Sequence, residues 1–451
     1  MASGPAVGPL PPLVPPAATR FALSNGLEVV AVRRNVAPIV AMTLMVRAGG
    51  DSDPTDRVGV GAATADMLDE GAGARDALTL AADLEQLGAD LWLGCGRDGS
   101  QLSLQVPASG FAPALAIAAD VLLRPRLTDQ DWARVRGDRL TALAQRRDQP
   151  ESVASVVGDR VFFGEAHSYG RPVEGYERTV GHIAIDDIRR YHATFYRPNA
   201  ATLVVAGDFD EAALPATLEA ALGGWQPGAL PPAAPTAPLP QVPRLVLVDR
   251  PGAPQSIVRV LLPGTDRLST DRPALTMLNA VLGGSFTSRL NFNLREQKGY
   301  TYGAASSFSF LRRPGIFAAR AAVFTEVTAD AVRETLAELG GMRERPVTDE
   351  ERTKARAMLL DRVAEGLATA GGIAATYGEL GLYRLPLEEP ERFVAALERT
   401  TAADLARLAS AYLDPDRAMV VVIGDRAAVE PGLRALGLPA PALRDADGDA
   451  I

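Results

Sequence analysis

The chain has 451 residues, 47% of them hydrophobic and 22% charged, with a formal net charge of −9. This composition supplies ample apolar side chains for folded cores and excludes the sparse, highly charged make-up of disorder; the length suggests two to four domains. The acidic balance repels phosphate backbones and excludes nucleic acid as an expected partner, and the basic pairs Arg146-Arg147, Arg189-Arg190 and Arg312-Arg313 read as solvated surface.

The single cysteine, Cys95, rules out an internal disulfide and a thiolate zinc cluster. No apolar run approaches the ~18 residues of a membrane span. The Pro/Ala-rich stretch Met1–Ala18 has neither a charged start nor a long apolar stretch, so it does not read as a signal peptide.

In chain order, Phe21–Ser24 and Leu27–Arg33 read as strands flanking the turn pair Asn25-Gly26, and Ile39–Ala48 as a third strand. Helices are predicted near Gly59–Asp69 and Leu78–Leu87. Asp90–Leu93 and Ser100–Val106 follow as a hairpin, then helices at Phe111–Leu123 and Thr128–Arg147, the last with Thr128 as N-cap and Asp131 at its third position. Strands Arg244–Val248 and Ile257–Leu262 and helix Ala274–Leu282 repeat this order later in the chain.

The repetition is quantitative. Thr202–Asp208 and Met419–Asp425 are apolar strands ending in Gly-Asp, with Gly207 and Gly424 standing 217 residues apart. Ile188, Phe195 and Pro198 recur at the same offset as Leu405, Tyr412 and Pro415, and Ala37-Pro38 recurs as Ala253-Pro254 at 216. Two units of about 220 residues are implied. Seven prolines between Pro227 and Pro243 mark the joint as a stiff spacer. The predicted organisation is a flexible segment 1–19, a first domain 20–226, a Pro-rich linker 227–243, a second domain 244–430 and a tail 431–451. The fold class is α+β: two homologous halves, each a two-layer α/β sandwich with a mostly antiparallel sheet.

Several ordered pieces then become specific: Tyr169-Gly170-Arg171-Pro172-Val173, Tyr196-Arg197-Pro198-Asn199, Ser288-Arg289-Leu290 and Leu294-Arg295-Glu296-Gln297-Lys298-Gly299. Together with the duplication, they make the chain from about Arg20 to Asp425 resemble the pitrilysin-like (inverzincin) metallopeptidases, the family of insulin-degrading enzyme, mitochondrial processing peptidase and the respiratory core proteins. The resemblance implies that a helix near Gly59 should carry the inverted zinc motif H-x-x-E-H, whose two histidines point from one helical face to one ion. The matching positions here are Ala62, Ala65 and Asp66, and the distal ligand falls near Thr141-Ala142. The only histidines are His167, His182 and His192, none four residues from another. No metal site and no cofactor are therefore expected in this chain; zinc is expected in a partner. Asp66, Asp69 and Glu70 could attract a loose cation, or act as solvated or capping groups.

The family's second feature survives. Zinc-free domains of active members carry R-E-x-x-G-x-x-Y, and Arg295–Tyr302 fits at each fixed position. The resemblance implies that Arg295 and Tyr302 bind substrate and stabilise the tetrahedral oxyanion in a complex. A guanidinium and a phenol both suit a carbonyl gaining negative charge. Otherwise Arg295 is a helix-surface ion pair and Tyr302 a packed strand residue, and Tyr300 and Arg289 are rivals for the pair's roles. Gly283, Gly284, Ser285 and Arg289 border the cleft in the family and are the expected substrate-binding stretch; a helix-ending turn explains the glycines equally.

The chain thus resembles the zinc-motif-lacking subunit of a bacterial two-chain peptidase, similar to the alpha-type subunits of mitochondrial processing peptidase. The expectation is a protein inactive alone, working with a homologous zinc-bearing subunit on peptide or unfolded-protein substrate. A non-enzymatic scaffold and a stand-alone peptide-binding clamp are the alternatives. A soluble, bacterial-type protein of cytoplasm or periplasm is expected, with the compartment open.

Overall fold

The structure, a computed structural model, describes residues 14–232 and 236–451. Residues 1–13 of the predicted N-terminal segment and 233–235 of the linker lie outside the described residues. No helix among the described residues is long and apolar enough to cross a membrane.

Each half is built on a six-stranded sheet. The first runs Thr19–Ala22, Glu28–Arg33, Ala201–Gly207, Ile39–Val46, Ser100–Pro107, Asp90–Cys95 across its width. The second runs Ala442–Leu443, Leu245–Asp249, Met419–Gly424, Gln255–Pro263, Pro314–Phe324, Thr301–Phe310. Five strands correspond one to one at about the offset seen in the sequence, all but Thr19–Ala22 and Ala442–Leu443, and the parallel pairing of Glu28–Arg33 with Ala201–Gly207 recurs as Leu245–Asp249 with Met419–Gly424. Both halves are therefore copies of one mostly antiparallel topology.

The conserved spacing of the Gly-Asp endings has a steric cause. Gly207 sits at φ +125°, and a Cβ there would run into the Ile39 carbonyl of the adjacent strand. A Cβ on Gly424 would meet Ser256 at the equivalent place.

The halves also trade helices. One face of each sheet carries its own helical layer over a large apolar core. The other face is covered by a helix from the opposite half. Pro150–Phe163 lays Val153, Val157, Phe162 and Phe163 on Val246, Leu261, Val421 and Ile423 of the second sheet. Ala370–Tyr383 lays Ile373, Ala374, Tyr377 and Leu380 on Val30, Val32, Val204 and Ala206 of the first. The expected two-layer sandwiches thus each gain a borrowed third layer. This explains why the central strands read as continuous apolar runs, since both faces are buried. It also opposes a hinge motion at the linker, because opening there would tear two apolar cores. Gly371 and Gly372 lie in the first turn of the second traded helix, N-capped by Thr369.

A polar junction completes the interlock. Asp98, 2% exposed, accepts from the Tyr169 hydroxyl (2.5 Å), the Tyr383 hydroxyl (3.0 Å) and the Arg312 backbone N–H (2.7 Å). Arg312 Nη1 also lies 2.7 Å from buried Asp51. The pair Arg312-Arg313, read from sequence as solvated, is instead the tip of the hairpin between the last two strands of the second sheet, pressed into the first half. A sequence reading misses this because the neutralising aspartates lie more than 200 residues away.

One boundary differs from the sequence reading. Helix Arg426–Ala435 runs through the predicted boundary at 430, and the stretch read as a tail adds the short strand Ala442–Leu443 parallel to Leu245–Asp249. Beyond it, Asp447 pairs with Arg147 (2.9 Å) and Arg146 (3.5 Å), which clamps residues 445–449 onto the first half. Arg146-Arg147 is thus also engaged rather than free surface.

Candidate functional site

The helix that the resemblance singles out is Val60–Met67. Its first turn is held by Asp53, whose two carboxylate oxygens accept the backbone N–H groups of Gly59 (2.6 Å) and Gly61 (2.9 Å). Asp53 is 5% exposed, and burial pushes its carboxyl up to about 7 against the opposing pull of those two N–H donors and Arg171. A raised folded-state pKa means that the native state holds the proton more tightly than the unfolded chain. This contribution to stability is complete below the ordinary carboxylate range near 4 and is lost as the pH rises through about 7. The stability of wild type relative to Asp53→Asn is expected to fall by about 2 kcal/mol between pH 5 and 8. Urea unfolding of both proteins at the two pH values checks this; a pH-independent difference contradicts it.

At the motif positions, Ala62 and Ala65 are buried methyls, 8% and 1% exposed. Asp66 is exposed and forms an ion pair with Arg139, which projects from helix Asp129–Arg146 and donates to the Glu174 carbonyl at 3.0 Å. A fixed guanidinium therefore sits against the one carboxylate of the motif. Thr141, near the distal-ligand position, turns its hydroxyl back to the Gly137 carbonyl (2.9 Å). Two methyls, a neutralised aspartate and a positive neighbour do not fit a zinc ion, which needs deprotonated ligands converging on one point.

The carboxylates considered for a loose cation are also drawn to arginines: Glu70 pairs with Arg134, and Asp66 with Arg139. Asp69 is pushed up to about 6, chiefly by burial and then by Glu70 and Asp66. No cluster of three or more His, Cys, Asp or Glu able to hold a metal is found among the described residues. Each histidine is engaged with backbone: His167 Nδ1 accepts from Tyr169 N (3.0 Å), while His182 Nδ1 lies 2.6 Å from the Arg178 carbonyl and His192 Nε2 2.8 Å from that of Leu122. The Cys95 thiol is pushed up to about 12 by burial, so it stays protonated and is a poor ligand.

The second half holds the other candidates. Residues Phe292–Gln297 are wound more widely than an α-helix, with Lys298 N bonding back five residues to the Asn293 carbonyl (3.0 Å). Such widened turns frequently mark functional sites, and this one carries Arg295. Its guanidinium lies over the Phe286 ring, 4.5 Å from the centroid, with Glu296 at 3.6 Å. Gly299, at φ +66°, ends the helix and turns the chain into strand Thr301–Phe310.

That turn fixes the phase of the two tyrosines. Tyr300 packs on the second core, whereas Tyr302 is 85% exposed at the start of the edge strand. Tyr302 lines a cleft of ≈ 950 Å³ between helix Pro150–Phe163 and the strands of the second sheet toward its Thr301–Phe310 edge. Arg295 does not line that cleft; it stands on the face bearing Phe286.

Of the expected substrate-binding stretch, Gly283 ends helix Arg272–Leu282, and its carbonyl accepts from Ser306 N (2.9 Å) on the edge strand. A Cβ on Gly283 would collide with Ser306, so close approach to that strand requires glycine here. The Gly284 carbonyl accepts from Arg362 (3.1 Å), and the Ser285 hydroxyl donates to the Ala280 carbonyl (3.1 Å). Arg289 makes a two-pronged pair with Glu351 (2.7 and 2.8 Å) and donates to the carbonyls of Arg345 and Pro346. Its guanidinium is committed to holding helix Asp349–Gly366, leaving Arg295 the freer of the two arginines.

Sequence reasoning missed three charged groups in the cleft: Glu151, Glu174 and Arg320. The alternation in Ala318-Ala319-Arg320-Ala321-Ala322 was a usable signal, because it puts one cation on one face of an otherwise small-residue strand.

Residues 182–359 match the family described as Peptidase M16 inactive domain. An uncharacterized zinc protease of Mycobacterium tuberculosis is 25% identical over 404 residues, covering 89% of this chain and 92% of that protein. Among solved structures, a peptidase M16 inactive domain from Pseudomonas fluorescens superimposes with a TM-score of 0.84 at 23% identity, covering 91% of this chain and 98% of that one. A protease from Helicobacter pylori gives 0.84 at 17% identity, covering 90% and 99%. The matched region contains the Arg295–Tyr302 pattern, and the zinc-motif positions lie outside it, on a helix without ligands. Residues 182–359 accordingly match the inactive M16 domain, and the chain as a whole is similar in sequence and fold to proteins of the peptidase M16 type, with no zinc ligand at positions 62, 65 and 66.

Proposed function

We propose that this chain is the non-zinc subunit of a two-chain metalloendopeptidase. A homologous partner supplies the zinc site, while this chain binds peptide or unfolded protein and supplies Arg295 and Tyr302 to the tetrahedral intermediate. The observation that carries the reading is the contrast between the two halves. The motif helix is filled with methyls and an Asp66–Arg139 pair, whereas Tyr302 stands 85% exposed, with no hydrogen-bond partner for its hydroxyl among the described residues. A phenol so exposed on an edge strand is available to a ligand or a second chain.

In this reading the chemistry of the metal belongs to the partner. Arg295 contributes a permanent charge and fixed donors, held in place by Phe286. Tyr302 contributes one O–H donor. Gly283, Gly284 and Ser285 form the neighbouring wall, with Arg289 holding its outer helix. The edge strand Thr301–Phe310 has one side free of sheet pairing and can take an extended peptide by main-chain hydrogen bonds.

Mixing the chain with its zinc-motif homologue from the same organism tests this. Hydrolysis of a quenched-fluorescence peptide should rise with added chain and level off at one chain per partner. A homologue whose rate is indifferent to the chain sinks the proposal and leaves a scaffold or a non-cleaving peptide clamp. Co-purification then separates these two, with a larger assembly favouring the first and a bound peptide the second.

A further inference from the structure

The ≈ 950 Å³ cleft has the size of known ligand sites, and its charges are arranged in an uneven way. Five charged residues line it: Arg146, Glu151, Glu174, Arg259 and Arg320. Two are already neutralised. Arg146 donates to the Gly175 carbonyl (3.1 Å) and pairs with Asp447, and Arg259 pairs with Asp159 at 2.9 Å. The other three are exposed and have no ion pair or side-chain hydrogen bond among the described residues.

Their placement is polarised. Arg320 rises from strand Pro314–Phe324 on the sheet wall, flanked on the same face by Ala318 and Ala322, with Ala305 and Arg259 as its cross-strand neighbours. The alanines are too short to cover it, and Arg259 is drawn to Asp159. Glu151 stands in the first turn of helix Pro150–Phe163 on the facing wall, and Glu174 on the loop next to it. Within one concave space, a free cation on the sheet wall is thus set apart from two free anions on the helix side.

We propose that this cleft reads charge along an extended peptide: Arg320 receives a carboxylate on the sheet side, and Glu151 and Glu174 receive a basic side chain on the helix side. The inference rests on the reading that the chain binds peptides and adds the class of peptide preferred. An exposed arginine can bind a carboxylate in two-pronged fashion, which fixes direction as well as charge. Groups in a cleft with low-dielectric walls are screened less than on open surface, so the selection persists at physiological salt.

The test is fluorescence anisotropy on the full chain with three dye-labelled decapeptides on one scaffold. One carries a glutamate and a lysine, one a glutamate and a glutamine, and one two glutamines. Wild type should bind the first about tenfold more tightly than the last, with the second between. Arg320→Gln should abolish the glutamate-dependent gain, and Arg320→Glu should invert it into a penalty. Glu151→Gln with Glu174→Gln should remove only the lysine-dependent gain. These side chains are exposed, so circular dichroism should be unchanged. If all three peptides bind but their ranking survives Arg320→Glu, the charge-reading inference is wrong and peptide binding stands. If no peptide binds wild type at all, the peptide-binding reading falls and this inference with it.

Discussion

Replacing Arg295 by Ala in the reconstituted pair should lower turnover by about 10²–10³-fold, and Tyr302→Phe should act in the same direction with a smaller loss. The size follows from the general value of an aimed donor at a developing oxyanion, roughly 3–4 kcal/mol. Interactions realised only in the transition state lower kcat and kcat/KM together, while those made equally to bound substrate raise KM. Both variants should therefore reduce kcat with the association of the two chains intact, as read by size-exclusion chromatography of the mixture. Arg295 has the larger expected effect because it carries permanent charge and five donors, and Tyr302 a single hydroxyl. Arg289→Ala serves as contrast. It breaks the two-pronged pair with Glu351 and should appear first as lost stability of the chain. Full turnover in Arg295→Ala and Tyr302→Phe would remove both residues from the mechanism.

The traded helices lead to a second large effect. Phe163 is 4% exposed; it meets Phe162 and Tyr169 edge-on and stacks on His167 at 5.0 Å. Tyr377 is 2% exposed in the reciprocal core on the first sheet. Phe163→Ala or Tyr377→Ala should each destabilise the chain by about 3–5 kcal/mol, the range for emptying a large buried aromatic site. All three tryptophans, Trp92, Trp132 and Trp225, lie in the first half. Tryptophan fluorescence therefore follows that half alone, while circular dichroism follows both. Because each half completes the other's sheet, the two signals should shift together in either variant and stay coincident. A fluorescence transition that separates from the circular dichroism transition would show that the halves unfold independently.

Much of this architecture was legible in the sequence because the strands carry it. Gly207 and Gly424 mark the same steric constraint, and the apolar strands before them show the same burial on two faces. Single elements followed from local chemistry. Asn25-Gly26 forms the turn, with Gly26 at φ +82°, and Thr128 accepts the Asp131 N–H (3.1 Å) to cap its helix. What could not be read was ownership. Helix Pro150–Phe163 looks like any apolar helix, and nothing local says that its face belongs to a sheet whose first long strand starts only at Leu245. Pairings over such distances are set by the assembled fold, so the hairpin tip at Arg312-Arg313 was also misread as solvated.

The site divides in the same way. The loss of zinc ligands needed only the residue types at 62, 65 and 66 and a count of histidines. That Arg139 would neutralise Asp66, that Phe286 would carry Arg295, and that Tyr302 and Tyr300 would face opposite ways depended on packing and on the widened turn before Gly299. For Arg320 the alternating alanines signalled one lone cation on a strand face, but only the pairing with Ala305 and Arg259 placed that face in the cleft.

The most direct measurement is elemental analysis of the isolated chain together with a peptide-hydrolysis assay before and after chelation. An aspartate already paired with Arg139 beside two methyls predicts far less than one zinc per chain and no chelator-sensitive cleavage. One tightly held zinc per molecule, with hydrolysis that a chelator abolishes and zinc restores, would contradict the division of labour between two polypeptides.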